Sequence, residues 1–399
     1  MKIRSVTCFV DVDETLAAPS LIQAGKLSAA ARTAVPLHGY ELVTTRLAVQ
    51  PLDRILPPGV PVRAVADFGV AFEKTFRTLG FDYGALMVEG PPLSAYLPEL
   101  LRSTGSVFAS RRIASRADGI DLEAIQDAAA IIYELAHSTP DGFGNFTFAA
   151  AANCPPGVPF FPAAYAAGSV GAFAFATEAA DLAVDIFTRA VNLEQARQEL
   201  VAAVEREGAR LAVLGQALAD ATELAFTGID FSLAPYPSEA RSLGTAFERL
   251  TGAPFGAHGT LFTAAFITDC LRRAKYPRAG FSGLMLPVLE DWTLAARSRE
   301  NLYSLDSLLL YSTVCGTGLD TVPLAGDTTQ GAIAALLLDL AALSVKLDKP
   351  LTARLIPVPG LKAGDVTTFN FEWFSNARAF EVRGKNLKVF DAKERVQFI

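Results

Sequence analysis

The chain has 399 residues and a mass of 42.4 kDa, more than one ordinary domain needs, which points to one large α/β unit or two smaller ones. Hydrophobic residues make up 51% and charged residues 19%, a balance that excludes long disorder and allows a sizeable core. A formal charge of −7, a pI near 5.2 and the lack of any Lys/Arg run exclude a nucleic-acid footprint.

Along the chain, Met1 to Val10 is too short an apolar region for a signal peptide, and Asp11 and Asp13 follow at once. Apolar runs of strand length then alternate with helical runs. Strands are expected at Val6–Val10, Tyr40–Val49, Ala85–Glu89, Asn145–Ala151, Phe226–Leu233, Leu308–Val314 and Arg354–Val358. Helices are expected at Leu21–Ala34, Val65–Thr78, Leu93–Arg102, Leu122–Ala136, Leu261–Lys275, Asp291–Arg299 and Thr329–Leu347. The stretch from Gly142 to Thr177 carries no formal charge, but Asn145, Asn153 and the prolines at 155, 156, 159 and 162 interrupt it. It reads as buried turns rather than a membrane helix, which needs about 20 consecutive, mostly apolar residues. Glu178 to Glu223 is almost unbroken helix with a break at Asn192, so a long helix pair is expected there. The tail from Val366 to Ile399 carries Phe369, Phe371, Trp373 and Phe374, then basic residues, and is expected to end in exposed β structure. The βαβα rhythm predicts α/β with a mainly parallel sheet or barrel.

Four cysteines (Cys8, Cys154, Cys270, Cys315) lie far apart without a CxxC, which reads as reduced thiols in a cytosol. Three histidines (His38, His137, His258) sit in no metal-ligand spacing. The first chemical candidate is Asp11-Val-Asp13-Glu-Thr15-Leu16 after an apolar strand. It is similar to the first motif of haloacid-dehalogenase phosphatases, in which two aspartates on one loop serve as nucleophile and acid/base and help to hold Mg²⁺. The alternative is a solvated strand end before a helix. No matching pair of distal acids follows, since Asp327 stands alone in its segment.

The second half is richer. Polar residues and glycines recur just past apolar strands, where open α/β folds gather ligand groups. Asp230 and Ser232 end one run, His258 lies between Gly256 and Gly259, and Glu290-Asp291 opens a helix. Cys315 precedes Gly316-Thr317-Gly318, with Asp320 beyond it. The thiol is a nucleophile, a radical carrier or a buried inert group. His258 is either a general base for Cys315 or Asp230, or a cap for the following helix. Asp327 with Gln330 has capping-box spacing, and Thr328 shares that helix start, which also suits an anion.

The segment from Ser312 through Cys315 to Thr328 resembles the signature of the domain of unknown function 711 family, which includes the uncharacterised protein family 0210. Thr44-Thr45-Arg46, Pro159 to Tyr165, Ile229 to Pro235, Leu286 to Asp291 and Ile356 to Asp365 are similar to further parts of that family. The resemblance implies a ten-stranded α/β barrel like that of pyruvate formate-lyase, a single domain over residues 1–365 with a helical insertion at 178–223 and a tail at 366–399. It implies Cys315 on a loop at the barrel centre, and a homodimer. Glu381-Val-Arg-Gly384-Lys matches a glycyl-radical motif only loosely, with lysine in place of an aromatic, so the fold analogy does not transfer radical chemistry. The expected protein is a cytosolic enzyme acting on a small anionic metabolite, with no nucleic-acid or membrane partner and no cofactor assigned. Its catalytic residues would be Cys315, His258 and Asp230. Its ligand groups would be Arg46, Glu290, Gly316, Thr317, Gly318, Asp320, Asp327 and Thr328. The alternatives are a non-catalytic sensor using the same residues, or the Mg²⁺ phosphatase using Asp11 and Asp13.

Overall fold

The computed structural model describes residues 1–57, 59–168, 171–392 and 394–398. Its strands are β1 (Lys2–Phe9), β2 (Leu42–Ala48), β3 (Tyr83–Val88), β4 (Val107–Ser115), β5 (Gly119–Asp121), β6 (Phe148–Ala152), β7 (Ala172–Glu178), β8 (Ala225–Ala234), β9 (Gly318–Ala325), β10 (Leu351–Val358) and β11 (Arg395–Val396). They form one mixed sheet in the order β8-β7-β1-β2-β3-β4-β6-β10-β9, with β5 and β11 as a side branch on β4. The central strands β1, β2, β3, β4 and β6 run parallel. Strands β7 and β10 flank them antiparallel, and β8 and β9 continue parallel to those two. Most strand residues are buried on both faces, which is why these runs are nearly continuously apolar instead of alternating.

The ladder does not close into the expected ten-stranded barrel. It is an open sheet whose ends are β8 and β9. Both ends nevertheless hydrogen-bond to one irregular segment, residues 277–289. On the β8 side, Ile229 N donates to Pro277 O, Ala279 N to Ile229 O, and Leu233 N to Gly283 O. On the β9 side, Val288 N donates to Asp320 O and Leu289 N to Thr321 O. Neither sheet edge is therefore left bare for pairing with another chain.

The helices follow the sequence closely. Ser20–Leu37, Val62–Thr78, Leu122–Ser138, Thr260–Arg273, Trp292–Arg299 and Gln330–Lys346 overlap the expected helical runs. Helix Val62–Thr78 buries Phe68, Phe72 and Phe76 at i, i+4 spacing, one stripe facing the sheet. Gly84 in β3 makes that contact possible: a Cβ there would meet Phe76 Cε1 at 2.5 Å and Phe72 Cε1 at 2.6 Å. The long helical region splits into Ala180–Arg189 and Leu193–Thr222, and Asn192 caps the second by accepting from Gln195 N. Val191, Leu193 and Val213 of this pair are exposed.

Two expectations need correction. Leu308–Val314 is not a strand. It falls in helix Leu305–Ser312, started by a capping box of Ser304 and Ser307, because a short apolar run has no period that separates strand from buried helix. Asp327 is not the cap of Gln330–Lys346 either: Thr329 is, accepting from Ala332 N. The tail folds back on the sheet. Phe380 N donates to Pro323 O, and Arg395 and Val396 pair with Asp121 and Ile120. Among the described residues no helix is long and apolar enough to cross a membrane.

Candidate functional site

One pocket collects side chains from most of the sheet. Arg4 of β1, Thr44 and Arg46 of β2, Tyr83 of β3, Asp230 of β8, Asp320 of β9 and Arg354 of β10 all line it, with Glu290 from the segment after residue 289. The enclosed part of the pocket is small, about 80 Å³, room for a compact ligand and not for a drug-sized one. Thr44 and Arg46 share a face because strand side chains alternate with a period of two. Aromatic rings supply the remaining wall: Phe146, Phe160, Phe161, Phe371 and Trp373, the last two from the C-terminal tail.

The charges are arranged as a chain of alternating sign. Arg354 Nε donates to Asp320 Oδ1 at 2.8 Å, and its Nη2 to Glu290 Oε1 at 2.7 Å. The other Glu290 oxygen accepts from Arg4 Nη2 at 2.5 Å. Arg4 Nη1 lies 3.7 Å from Glu178, which Arg241 holds at 2.9 Å. Glu290, Asp320 and Arg354 are buried, and buried ions need such pairing to be tolerated. Burial would raise the Glu290 carboxyl, but Arg354 and Arg4 overcome it and hold it below its ordinary value. Asp320 goes the other way. Burial raises it, and the charge on Glu290 adds to the rise against the pull of Arg354. The two carboxyls are thus pushed apart, a pattern that separates acid and base roles.

Arg46 stands outside this chain. Its Nε donates to Thr44 Oγ1 at 2.9 Å, and its guanidinium lies over the Phe161 ring, 5.1 Å from the centroid. Among the described residues no carboxylate forms an ion pair with it. Burial, then repulsion from Arg4, pushes its guanidinium down to about 9. A guanidinium keeps its proton at neutral pH regardless, so a charge stands there at a free-energy cost that an incoming anion would offset.

Of the residues expected at the site, Arg46, Asp230, Glu290 and Asp320 line this pocket, and the others do not. Asp230 is fully buried and holds a loop: its oxygens accept from Ser232 Oγ, Phe281 N and Ser282 N. Cys315 is 2% exposed and belongs to the apolar core. Gly316 N bonds Leu284 O, and Thr317 O accepts from Thr352, so this turn joins strands. In Gly318 (φ +96°) a Cβ would meet Thr352 O at 2.5 Å. His258 is exposed in the turn before helix Thr260–Arg273 and makes no cap bond. Asp327 faces a second, open cavity with Tyr133, His137 and Lys385, and Thr328 Oγ1 is turned to Ala325 O. Asp13 folds its own loop, accepting from Thr15 N, Thr15 Oγ1 and Ala17 N, and Asp11 is half-buried beside it. Among the described residues no three His, Cys, Asp or Glu side chains are grouped as a metal ion would need.

Sequence reading missed Arg4 and Arg354. Arg354 is the lone cation of a mostly apolar strand and Arg4 follows Lys2 in β1, and a buried ion in a strand must find a partner. That was the available signal.

Comparison with known proteins agrees with the signature around Cys315. The family described as "Uncharacterised ACR (DUF711)" matches residues 1–374. A UPF0210 protein of Pyrobaculum arsenaticum is 32% identical over 360 residues, covering 86% of this chain and 79% of the relative. A UPF0210 protein of Syntrophobacter fumaroxidans is 30% identical over 356 residues, covering 83% and 78%. One from Lacticaseibacillus paracasei is 27% identical over 370 residues, covering 86% and 82%. With nearly its whole length matched, this chain belongs to the DUF711 family.

Proposed function

We propose that this protein binds a small organic anion in the central pocket, with Arg46 on the anionic group and the aromatic wall on a planar or apolar body. The observation that carries the reading is Arg46 itself. It is a guanidinium facing a pocket, held by Thr44 and Phe161 and without a carboxylate partner among the described residues. The neighbouring arginines differ, because Arg4 and Arg354 are already neutralised by Glu290 and Asp320. A bidentate group such as a carboxylate fits a planar guanidinium best.

We also propose that the sheet closes round this pocket as an α/β barrel, with residues 277–289 standing in for the missing strand. The bonds from both ladder ends to that segment support this, as does one pocket lined from β1, β2, β3, β8, β9 and β10. Radical chemistry on Cys315 is not part of the proposal, since that residue lies off the pocket.

Calorimetry with phenylpyruvate and with its neutral analogue phenylacetone tests the binding reading. Phenylpyruvate should bind at least about tenfold tighter, the worth of one charge-assisted bond of about 1.5 kcal/mol. Arg46→Ala should remove that preference with little loss of stability, because no buried carboxylate is left unpaired. Equal affinity for the two compounds would sink the idea.

A further inference from the structure

We propose that Asp320 is the proton-transferring group of this pocket and that its ligands are carbon acids, small organic anions with an enolisable C–H such as 2-oxo acids. The inference rests on the anion-binding reading of the same pocket and adds a chemistry to it. Three pocket carboxylates compete for the role, and their hydrogen bonds separate them. Glu290 has one oxygen on Arg354 and the other on Arg4. Asp230 has both oxygens on the loop at Phe281 and Ser282. Asp320 has only Oδ1 engaged, by Arg354 Nε. Its Oδ2 makes no hydrogen bond among the described residues and is not among the sealed, unpartnered atoms of the core, so it is open to the pocket.

The backbone gives a second, independent reason. Across β9 and β10, Leu319 pairs with Ala353 and Val322 with Leu355, so Asp320 and Thr321 together oppose the single residue Arg354. This is a β-bulge, a device that re-aims one side chain and is common beside active sites. Thr321 takes φ +41°, a left-handed value that a β-branched residue avoids unless its surroundings impose it. The bonds from Val288 N to Asp320 O and from Leu289 N to Thr321 O hold it there. Strain is thus placed at the one residue that follows Asp320. The upward push on the Asp320 carboxyl makes its carboxylate a stronger base than an ordinary aspartate.

The step is balanced within the pocket. The substrate C–H bond breaks as an O–H bond forms on Asp320 Oδ2. The electron pair moves into the adjacent carbonyl to give an enolate, while Arg46 keeps the carboxylate in place. Return of the proton to oxygen gives the enol, and return to carbon restores the keto form, so no oxidant, reductant or second substrate is needed.

Phenylpyruvate in D₂O, followed by proton NMR at C3, tests this. The wild-type protein should exchange the C3 protons at least about tenfold faster than buffer. Asp320→Asn should bind phenylpyruvate as tightly or more tightly and exchange it at least about tenfold more slowly. Asp320→Glu keeps the ion pair with Arg354 but displaces the oxygen. It guards against a folding defect, and should also lose exchange while keeping binding. Wild-type binding without acceleration overturns the proposal and leaves the anion reading intact, as does exchange in both variants at the wild-type rate. A wild-type protein that does not bind phenylpyruvate overturns both.

Discussion

The arginine-lined pocket and the Cys315 turn both adjoin the irregular segment 277–289, yet they do opposite things. In the pocket, charged side chains from several strands point at one space, and Arg46 has Thr44 as a hydrogen-bond partner but no carboxylate among the described residues. At Cys315 the thiol is packed in the core, its N–H bonds Tyr311 O, and Gly316 lies against Leu284. A Cβ on Gly316 would meet Leu284 O at 2.8 Å. Glycine there permits a close approach, but the neighbour that approaches is protein backbone and not a ligand. Glycine near a strand end reports crowding. It does not report what does the crowding.

The comparison is broken most directly through the pocket ions. Arg354→Ala would leave Glu290 and Asp320 buried without their shared cation, and should destabilise the fold by about 3–5 kcal/mol in urea denaturation. A loss below about 1 kcal/mol would mean that water already reaches the pair. Next to Glu290, Asp291 is a purely structural acid. Its oxygens accept from Ser242 Oγ, Leu243 N, Gly244 N, Thr293 N and Leu294 N, joining the starts of helices Leu243–Thr251 and Trp292–Arg299. Asp291→Ala should cost about 3 kcal/mol by leaving buried donors unmatched. These adjacent acids show how one step along the chain turns a pocket-lining group into one that joins two helix starts.

How much of this the sequence shows depends on what each signal measures. Periodicity located the long helices, and Asn192 was readable as a break; in the structure its side chain takes a backbone N–H and caps the second helix. Strands β4, β7 and β9 were not legible. Strand β4 contains Arg111 and Arg112, and β9 contains Asp320 and Pro323, residues that local preference sends to loops. Their ion pairs are with residues distant in sequence, Asp127 and Glu89 for β4 and Arg354 for β9, so only the tertiary fold explains them. The site was legible by half for the same reason. Arg46, Asp230, Glu290 and Asp320 sit in motifs, whereas Arg4 and Arg354 lie in strands outside any motif. Cys315 attracted attention through its motif, although a motif can mark packing as readily as chemistry.

The pH dependence sharpens the contrast within the pocket. Asp320 is raised in the fold and Glu290 is lowered, so they titrate on opposite sides of the ordinary carboxylate range. As pH falls through the upper window, Asp320 takes up a proton and a negative charge leaves the pocket. Phenylpyruvate affinity should then rise by on the order of 1 kcal/mol. Stability moves the same way: a carboxyl raised in the fold contributes stability that is present below its unfolded pKa and lost as pH rises through its folded value. Asp320→Asn should bind more tightly at neutral pH and flatten the part of both profiles that lies above the ordinary aspartate range. Glu290 has the opposite sign, and its contribution disappears only below the ordinary range.

The smallest expected effect lies at Cys315. If the turn is packing, Cys315→Ala removes one sulfur atom from the core and should cost about 1 kcal/mol, leaving phenylpyruvate affinity unchanged within about twofold. Thiol labelling sets the four cysteines side by side. Burial pushes Cys154 up to about 12 and Cys270 up to about 11, and raises Cys8 further. These three should stay unlabelled in the native protein, because the thiolate is the reactive form. Cys315 should join them for a different reason, steric closure: it is 2% exposed and enclosed by the chain from Tyr311 to Thr317. All four should react once the fold is lost. Rapid native labelling of Cys315 that phenylpyruvate suppresses would place the thiol in the ligand's reach, and the division between pocket and turn would then have to be redrawn with the sulfur on the pocket side.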